Sequence, residues 1–210
     1  VLRPYQVSGF QWLNYLQEVQ WGGILADDMG LGKTIQTLSF LQHLKEKKGK
    51  LLSMVVCPTT LLFNWQNELE KFTPSLSFVI HHGGNRSKTQ LLKNAPEVII
   101  TTYGTLRSDI KAFSEVQFDY VILDESQAIK NPSSKVTKAA SLLKAENRLC
   151  LSGTPLQNNT FDIYAQMNFL NPGMLGSVEF FKHNFAMPID KFDEQEQKEH
   201  LRKFVFPFIL

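Results

Sequence analysis

The sequence predicts an α/β fold: a mainly parallel central sheet flanked by helices, followed by a helical C-terminal part. Three observations predict it. Short, nearly continuous apolar runs such as Leu51–Cys57, Val98–Thr102 and Tyr120–Leu123 suit strands buried on both faces. Between these runs, apolar residues recur at helical spacing, as Leu62, Trp65, Leu69 and Phe72 do. The runs end in glycines, prolines or acids, which mark loops. Strands alternating with helices imply right-handed crossovers and a parallel sheet.

The elements follow in order. Tyr5, Phe10, Leu13 and Leu16 predict an amphipathic helix over 4–19, opened by Pro4. Gly22–Ala26 reads as the first strand. Ile35, Leu38, Leu41 and Leu44 place a helix over 34–47, and the basic tail 45–50 reads as its solvated end with a glycine stop. A strand over 51–57 ends at Pro58, and the Trp65 helix ends by Pro74. Phe78–His81 is a shorter strand, 87–94 a polar helix, 98–102 a strand and 103–113 a helix. Strand 120–123 runs into Asp124-Glu125. A helix starts at 131–133, with Val136, Ala139, Ala140 and Leu143 on one face. Strand 148–151 ends at Ser152, and 162–208 is mostly helical, with breaks at Asn171–Gly173 and Pro188.

The 210 residues suffice for one such domain with a full core. A net charge of +2, from 22 basic and 20 acidic side chains, predicts no general attraction to nucleic acid, so any such binding needs a local patch. The two cysteines, Cys57 and Cys150, close apolar runs and read as buried reduced thiols. His81-His82 lacks further ligands at zinc spacing. No apolar run approaches the roughly 18 residues of a membrane span, and no signal peptide opens the chain. A soluble, intracellular protein is expected. The missing initiator Met and the apolar end Phe206–Leu210 read as an excised segment.

The stretch Ala26–Thr34 organises the rest. A strand, a glycine loop and a helix start follow one another, and glycines let backbone N–H groups approach an anion. Asp28, Gly30, Leu31 and Gly32 form the cradle. Lys33 can reach outer phosphates, and the Thr34 hydroxyl can sit on Mg2+. The first glycine of G-x-x-x-x-G-K-[ST] is replaced by Asp27. Asp124, ending a buried strand, is placed to hold Mg2+, and Glu125 to orient or deprotonate a water. A helix-initial acid pair is the plainer reading of these two, and the loop in the same chain weakens it. The loops at 27–33, 124–127 and 152–155 all follow strands and can meet at one crevice. Ser152–Asn158 is either a hydroxyl-lined relay or a small polar turn; Gln127 could couple to Ser152 or Thr154. Thr59, Thr60 and Thr102 can bind phosphate or simply cap helices. Trp65, on an apolar face, reads as core.

Taken together, these residues resemble the first motor lobe of SWI/SNF-type helicase-like ATPases. The motifs are Leu2–Gln6 with Gly9 and Trp12, Asp27–Thr34 with Ile35-Gln36, and Cys57–Thr59 with Asn64-Trp65. Thr101–Gly104, Asp124–Gln127 with Lys130-Asn131, and Ser152–Asn158 complete the set, in the family's order across the chain. Asp27 in the loop is itself part of that pattern. The resemblance implies a RecA-like lobe over 1–210, with 160–210 a helical extension, that works on ATP and Mg2+. It implies that Gln6 reads adenine, that Lys33 and Thr34 hold phosphate and metal, and that Thr59, Thr60, Asn64, Thr102 and Tyr103 lie in segments touching the backbone of double-stranded DNA. It implies a second RecA-like lobe in the same polypeptide, which would supply arginine fingers. This segment alone should therefore hydrolyse ATP poorly. A remodelled protein would be the further partner. Gln127, where the family has His or Gln, favours a prokaryotic member, placing it at the nucleoid; a eukaryotic one would be nuclear. Competing readings are a strand-separating helicase or restriction-type translocase lobe, for which no pin is recognisable, and a non-catalytic nucleotide-dependent scaffold. The scaffold requires a defect at Lys33, Asp124 or Glu125, and none is present.

Overall fold

A computed structural model describes residues 2–28, 30–84, 86, 91, 95–153 and 160–210. Six strands form one sheet: β1 (Gly23–Leu25), β2 (Ser53–Cys57), β3 (Phe78–His81), β4 (Val98–Thr102), β5 (Gln117–Asp124) and β6 (Lys144–Leu151). Their order is β1-β6-β5-β2-β4-β3, and every pairing is parallel. The predicted mainly parallel α/β architecture is the one found.

Alternating strand residues divide between two cores. Leu25, Val55, Cys57, Ile100, Ile122 and Leu151 face one side, where α1 (Pro4–Glu18), α2 (Lys33–Lys48) and α3 (Leu62–Phe72) bring Leu13, Leu38, Leu41 and Trp65. Ile24, Val56, Ile99, Val121, Leu123 and Cys150 face the other. There α4 (Tyr103–Phe113), α5 (Lys135–Ser141) and α6 (Thr160–Leu170) bring Leu106, Phe113, Ala140, Tyr164 and Met167. Burial on both faces is why these strands are apolar throughout rather than alternating. Helices after β1 and β2 travel towards β3 on one face; those after β4 and β5 travel back on the other, as crossovers of one hand require.

Three expectations change. Strands β5 and β6 start earlier than their apolar cores, because their polar first residues still pair, Gln117 with Lys144. The basic end of α2 stops at Gly49 in a left-handed conformation, yet it is more than solvated. Lys45 pairs with Glu97 at 2.7 Å, and Lys48 bridges Asp119 and Glu146, so the lysines tie the amino ends of three strands. Pro188 does not break the C-terminal helices. It falls in the first turn of α8 (Met187–Phe192), after α7 (Val178–Phe181) and a π-helical turn at Lys182–Ala186. Residues 178–192 form one continuous helical run, so Pro188 leaves a carbonyl of the preceding turn without its helical donor, and the widened π turn, which closes Met187 N–H onto Lys182 O, accommodates the ring. The break comes at Asp193, with φ of 50°, before α9 (Gln195–Val205). The break at Asn171–Gly173 stands where expected, with Gly173 at φ 84°. The predicted helix over 87–94 lies outside the described residues apart from Leu91.

The last residues return to the sheet. Leu210 N–H donates to Ile24 O at 3.0 Å and Ala26 N–H to Leu210 O at 2.6 Å, so Ile209 and Leu210 extend the ladder beyond β1. Trp21 stacks on Phe208 beneath this strap.

Candidate functional site

Register brings the carboxyl ends of three strands level. Leu25 of β1 pairs with Leu151 of β6, which pairs with Asp124 of β5. The loops that follow, at Ala26–Gly32, Glu125 and Ser152, therefore leave one edge of the sheet together, as ligand sites of parallel sheets do.

The first loop is shaped by Gly30 and Gly32, at φ of 85° and 82°. At Gly32 an added Cβ would also lie 2.6 Å from Gln6 Nε2, so both backbone and space exclude a side chain. Helix α2 begins at Lys33, with Thr34 second and half-buried. The unpaired N–H groups of that first turn face the loop. The Lys33 ammonium donates to Asp27 O at 2.6 Å and Asp28 O at 3.3 Å. Among the described residues, its partners are these neutral carbonyls, with no carboxylate in ion-pair range. Helix α1 grips the loop from outside: the Tyr5 hydroxyl and the Gln6 amide both donate to Leu31 O, at 3.1 and 3.2 Å. Gln6 Oε1 accepts from Arg3 N–H at 2.8 Å, which leaves the amide one N–H and one lone pair for a base edge.

Asp124 is only 7 % exposed. Its Oδ2 accepts the Trp65 indole N–H at 2.8 Å and its Oδ1 accepts Glu125 N–H at 2.9 Å. Burial raises the carboxyl above its ordinary value; the indole, the Glu125 amide and the nearby Lys33 ammonium oppose the rise. Lys33 and Asp124, 91 positions apart in the chain, thus act on each other electrostatically. Glu125 has the left-handed φ of 49°, uncommon for a side chain with a Cβ. Its Oε2 accepts from Gln127 Nε2 at 2.6 Å, and Gln127 Oε1 accepts from the Ser152 hydroxyl at 3.4 Å. A chain of contacts therefore runs from Glu125 through Gln127 to Ser152. Thr154 lies outside the described residues.

The residues assigned to DNA divide. Thr59, Thr60 and Asn64 are exposed after β2, with Asn64 bonded to Glu68 at 3.1 Å. Thr102 is buried and caps α4, accepting Thr105 N–H at 3.2 Å. Tyr103 turns inward, its hydroxyl donating to Asp124 O at 2.6 Å, and burial raises that phenol well above its usual value. At this corner Gly104, Arg107 and Ser108 are exposed.

Sequence patterns missed three positioning groups. Trp65 is core, fully buried, and also orients Asp124. Tyr103 fixes the backbone of the same residue. Buried Gln166 of α6 accepts from the Ser126 hydroxyl at 2.6 Å, anchoring the turn that carries Glu125. Its only signal was a polar residue among the apolar positions of that helix. Both cysteines are buried, and burial pushes the Cys57 thiol up to about 12 and Cys150 higher, so both are inert thiols at neutral pH. A cavity of about 670 Å³ between Trp21, Asn147, Arg148 and Met174 lies at the opposite end of the sheet.

Fold and site together define a RecA-like lobe, with the phosphate-loop and carboxylate motifs on level strand ends. The chain belongs to the SNF2-related domain family, which matches residues 5–210. The SWI2/SNF2 ATPase core of Sulfolobus solfataricus, solved in complex with dsDNA, superposes with a TM-score of 0.92 at 44% identity, covering 100% of this chain and 44% of that one. The ISWI chromatin-remodeling complex ATPase ISW2 of Saccharomyces cerevisiae is 36% identical over 100% of this chain and 19% of its own length. The TATA-binding protein-associated factor MOT1 of the same yeast is 37% identical over 100% of this chain and 12% of its own. The chain spans 12% to 23% of the curated relatives it matches first. Among the described residues no helix is long and apolar enough to cross a membrane.

Proposed function

We propose that this chain is the ATP-binding lobe of a double-stranded-DNA-dependent ATPase that translocates on DNA and remodels protein–DNA complexes. The observation that carries the proposal is that the left-handed glycine loop bearing Lys33 and the strand end bearing Asp124 leave one sheet edge at the same level. The residues fit the substrate, Mg·ATP. The ammonium is held by carbonyls that a phosphate can replace. Each Asp124 oxygen spends one lone pair on its donor, the Trp65 indole or the Glu125 amide, and has another to offer.

In this reading Thr34 and Asp124 hold Mg2+, which would offset phosphate charge. Lys33 and the amides of the first α2 turn hold the phosphates. Glu125, aimed by Gln127 and by its left-handed backbone, orients the water and takes its proton. Gln6 reads the adenine edge with its remaining donor and acceptor. The Glu125–Gln127–Ser152 chain links the nucleotide to the segment after β6, which would report on DNA. The exposed Thr59, Thr60 and Asn64, with the backbone at Thr102-Tyr103, would meet DNA phosphates without base readout. A second RecA-like lobe elsewhere in the polypeptide would supply the arginine finger, worth roughly 10³–10⁵ in rate, so residues 1–210 alone should turn over slowly.

The test is Glu125→Gln in the complete polypeptide. DNA-stimulated ATP hydrolysis should fall by roughly 10²-fold or more while nucleotide binding persists. Unchanged hydrolysis would remove Glu125 from this role. Triplex displacement without strand displacement is the expected motor signature; efficient strand separation would make the protein a helicase instead.

A further inference from the structure

The loop carries an acid, Asp27, where the general phosphate-loop pattern has its first glycine, six residues before the lysine that must meet phosphate. Asp27 is half-buried. Its main-chain oxygen accepts the Lys33 ammonium at 2.6 Å, while its carboxylate Oδ2 accepts the Gln36 amide at 2.9 Å. Gln36 is fully buried, one turn along α2, and its Nε2 also reaches Gly32 O at 3.3 Å. Its Oε1 is buried with no hydrogen-bond partner. That oxygen abuts α1 at Gly9, where an added Cβ would lie 1.9 Å from it.

We propose that Gly9, Gln36 and Asp27 form a latch that holds the Asp27 carboxylate away from Lys33, leaving the ammonium on exchangeable carbonyls; the proposal rests on the nucleotide reading above. Gln36 and Gly9 are positioning residues. The amide cannot turn over, because its oxygen would then face the carboxylate and its two N–H groups would face Gly9. An unlatched carboxylate six residues before the lysine would form an ion pair with it, and a charge-assisted bond holds an ammonium more firmly than a carbonyl does. Phosphate would then have to displace that pair. Any side chain at Gly9 would push the amide out and release the same carboxylate. The latch thus explains three motif positions that the hydrolysis mechanism leaves unused.

The experiment is a double-mutant cycle on steady-state ATP hydrolysis by the complete polypeptide. Gln36→Leu should raise the KM for Mg·ATP roughly tenfold, about one charge-assisted hydrogen bond, with kcat changed less. Gly9→Ala should do the same. With Asp27→Gly, which restores the missing glycine and removes the competing carboxylate, adding Gln36→Leu should leave KM equal to that of Asp27→Gly alone. Should Gln36→Leu fail to fold, Gln36→Met keeps the side-chain length and is read the same way. A purely structural role predicts an equal KM penalty in both backgrounds, tracking the loss in melting temperature; that result, or an unchanged KM in Gln36→Leu, overturns the latch. Failure of the unaltered protein to hydrolyse ATP overturns the nucleotide reading and the latch together, whereas normal hydrolysis with additive effects overturns the latch alone.

Discussion

Trp65→Phe separates packing from positioning at the carboxylate. The indole is fully buried and donates to Asp124 Oδ2 at 2.8 Å. Phenylalanine keeps most of the apolar contact and deletes the donor. A hydrogen bond to a charged group contributes about 1.5–3 kcal/mol, and the missing ring leaves a small void costing about 1 kcal/mol. The expected loss is therefore about 3 kcal/mol, read by urea denaturation of the chain. The same change should raise the Mg2+ concentration needed for half-maximal hydrolysis in the complete protein, because Asp124 loses the bond that orients it. In an Asp124→Asn background the acceptor is neutral, so Trp65→Phe should cost about half as much of the bond term. A loss near 1 kcal/mol with unchanged Mg2+ dependence would show the indole to be packing alone, and the reasoning about Asp124 would fail.

Two further outcomes concern stability. At Glu97, burial alone would raise the carboxyl, but Lys45 at 2.7 Å and the Ser77 N–H and hydroxyl outweigh it and hold the group below the ordinary glutamate value. A depressed native carboxyl adds stability that is complete above the unfolded value and disappears as pH falls through the folded one. Glu97→Gln should thus lower the melting temperature at neutral pH, with the gap to the unaltered protein narrowing below about pH 4.5; a gap independent of pH refutes the assignment. Arg148, whose charge is lowered in pKa by burial, donates to Phe169 O at 3.0 Å and Leu143 O at 2.8 Å, near the carboxyl ends of α6 and α5. Arg148→Met should cost about 2–3 kcal/mol in denaturation, since two helix ends lose a cationic partner; a loss under about 0.5 kcal/mol would make those contacts incidental.

The sheet was legible because burial on both faces leaves a plain trace. Met54-Val55-Val56-Cys57 and Val98-Ile99-Ile100 are apolar at every position, and only a central parallel strand needs that. Boundaries were less so. Lys144 and Ala145 pair in β6 although nothing in their composition suggests a strand, because their partner β5 supplies the ladder. Pro188 misled for another reason: the π-helical turn before it widens the helix enough to carry the ring inside a continuous helical run.

The site divides along the same line. Asp124 and Glu125 could be read because they stand at and just past a strand end, and Lys33 because a glycine loop carries the chain to it from another; strand ends converge by topology alone. What holds them could not. Trp65 obeys the apolar periodicity of α3, and nothing in that pattern reveals that its one polar atom meets a carboxylate from β5, 59 residues later. Tyr103 and Gln166 hide in the same way, each satisfying a buried partner that belongs to another element. Periodicity reports which face of an element is buried; it is blind to the lone donor on that face. The catalytic candidates are thus local in sequence, while their orientation is a property of the core. Substitutions that conserve core hydrophobicity, Trp65→Phe and Tyr103→Phe among them, are the ones that should disturb this site without announcing themselves in the pattern.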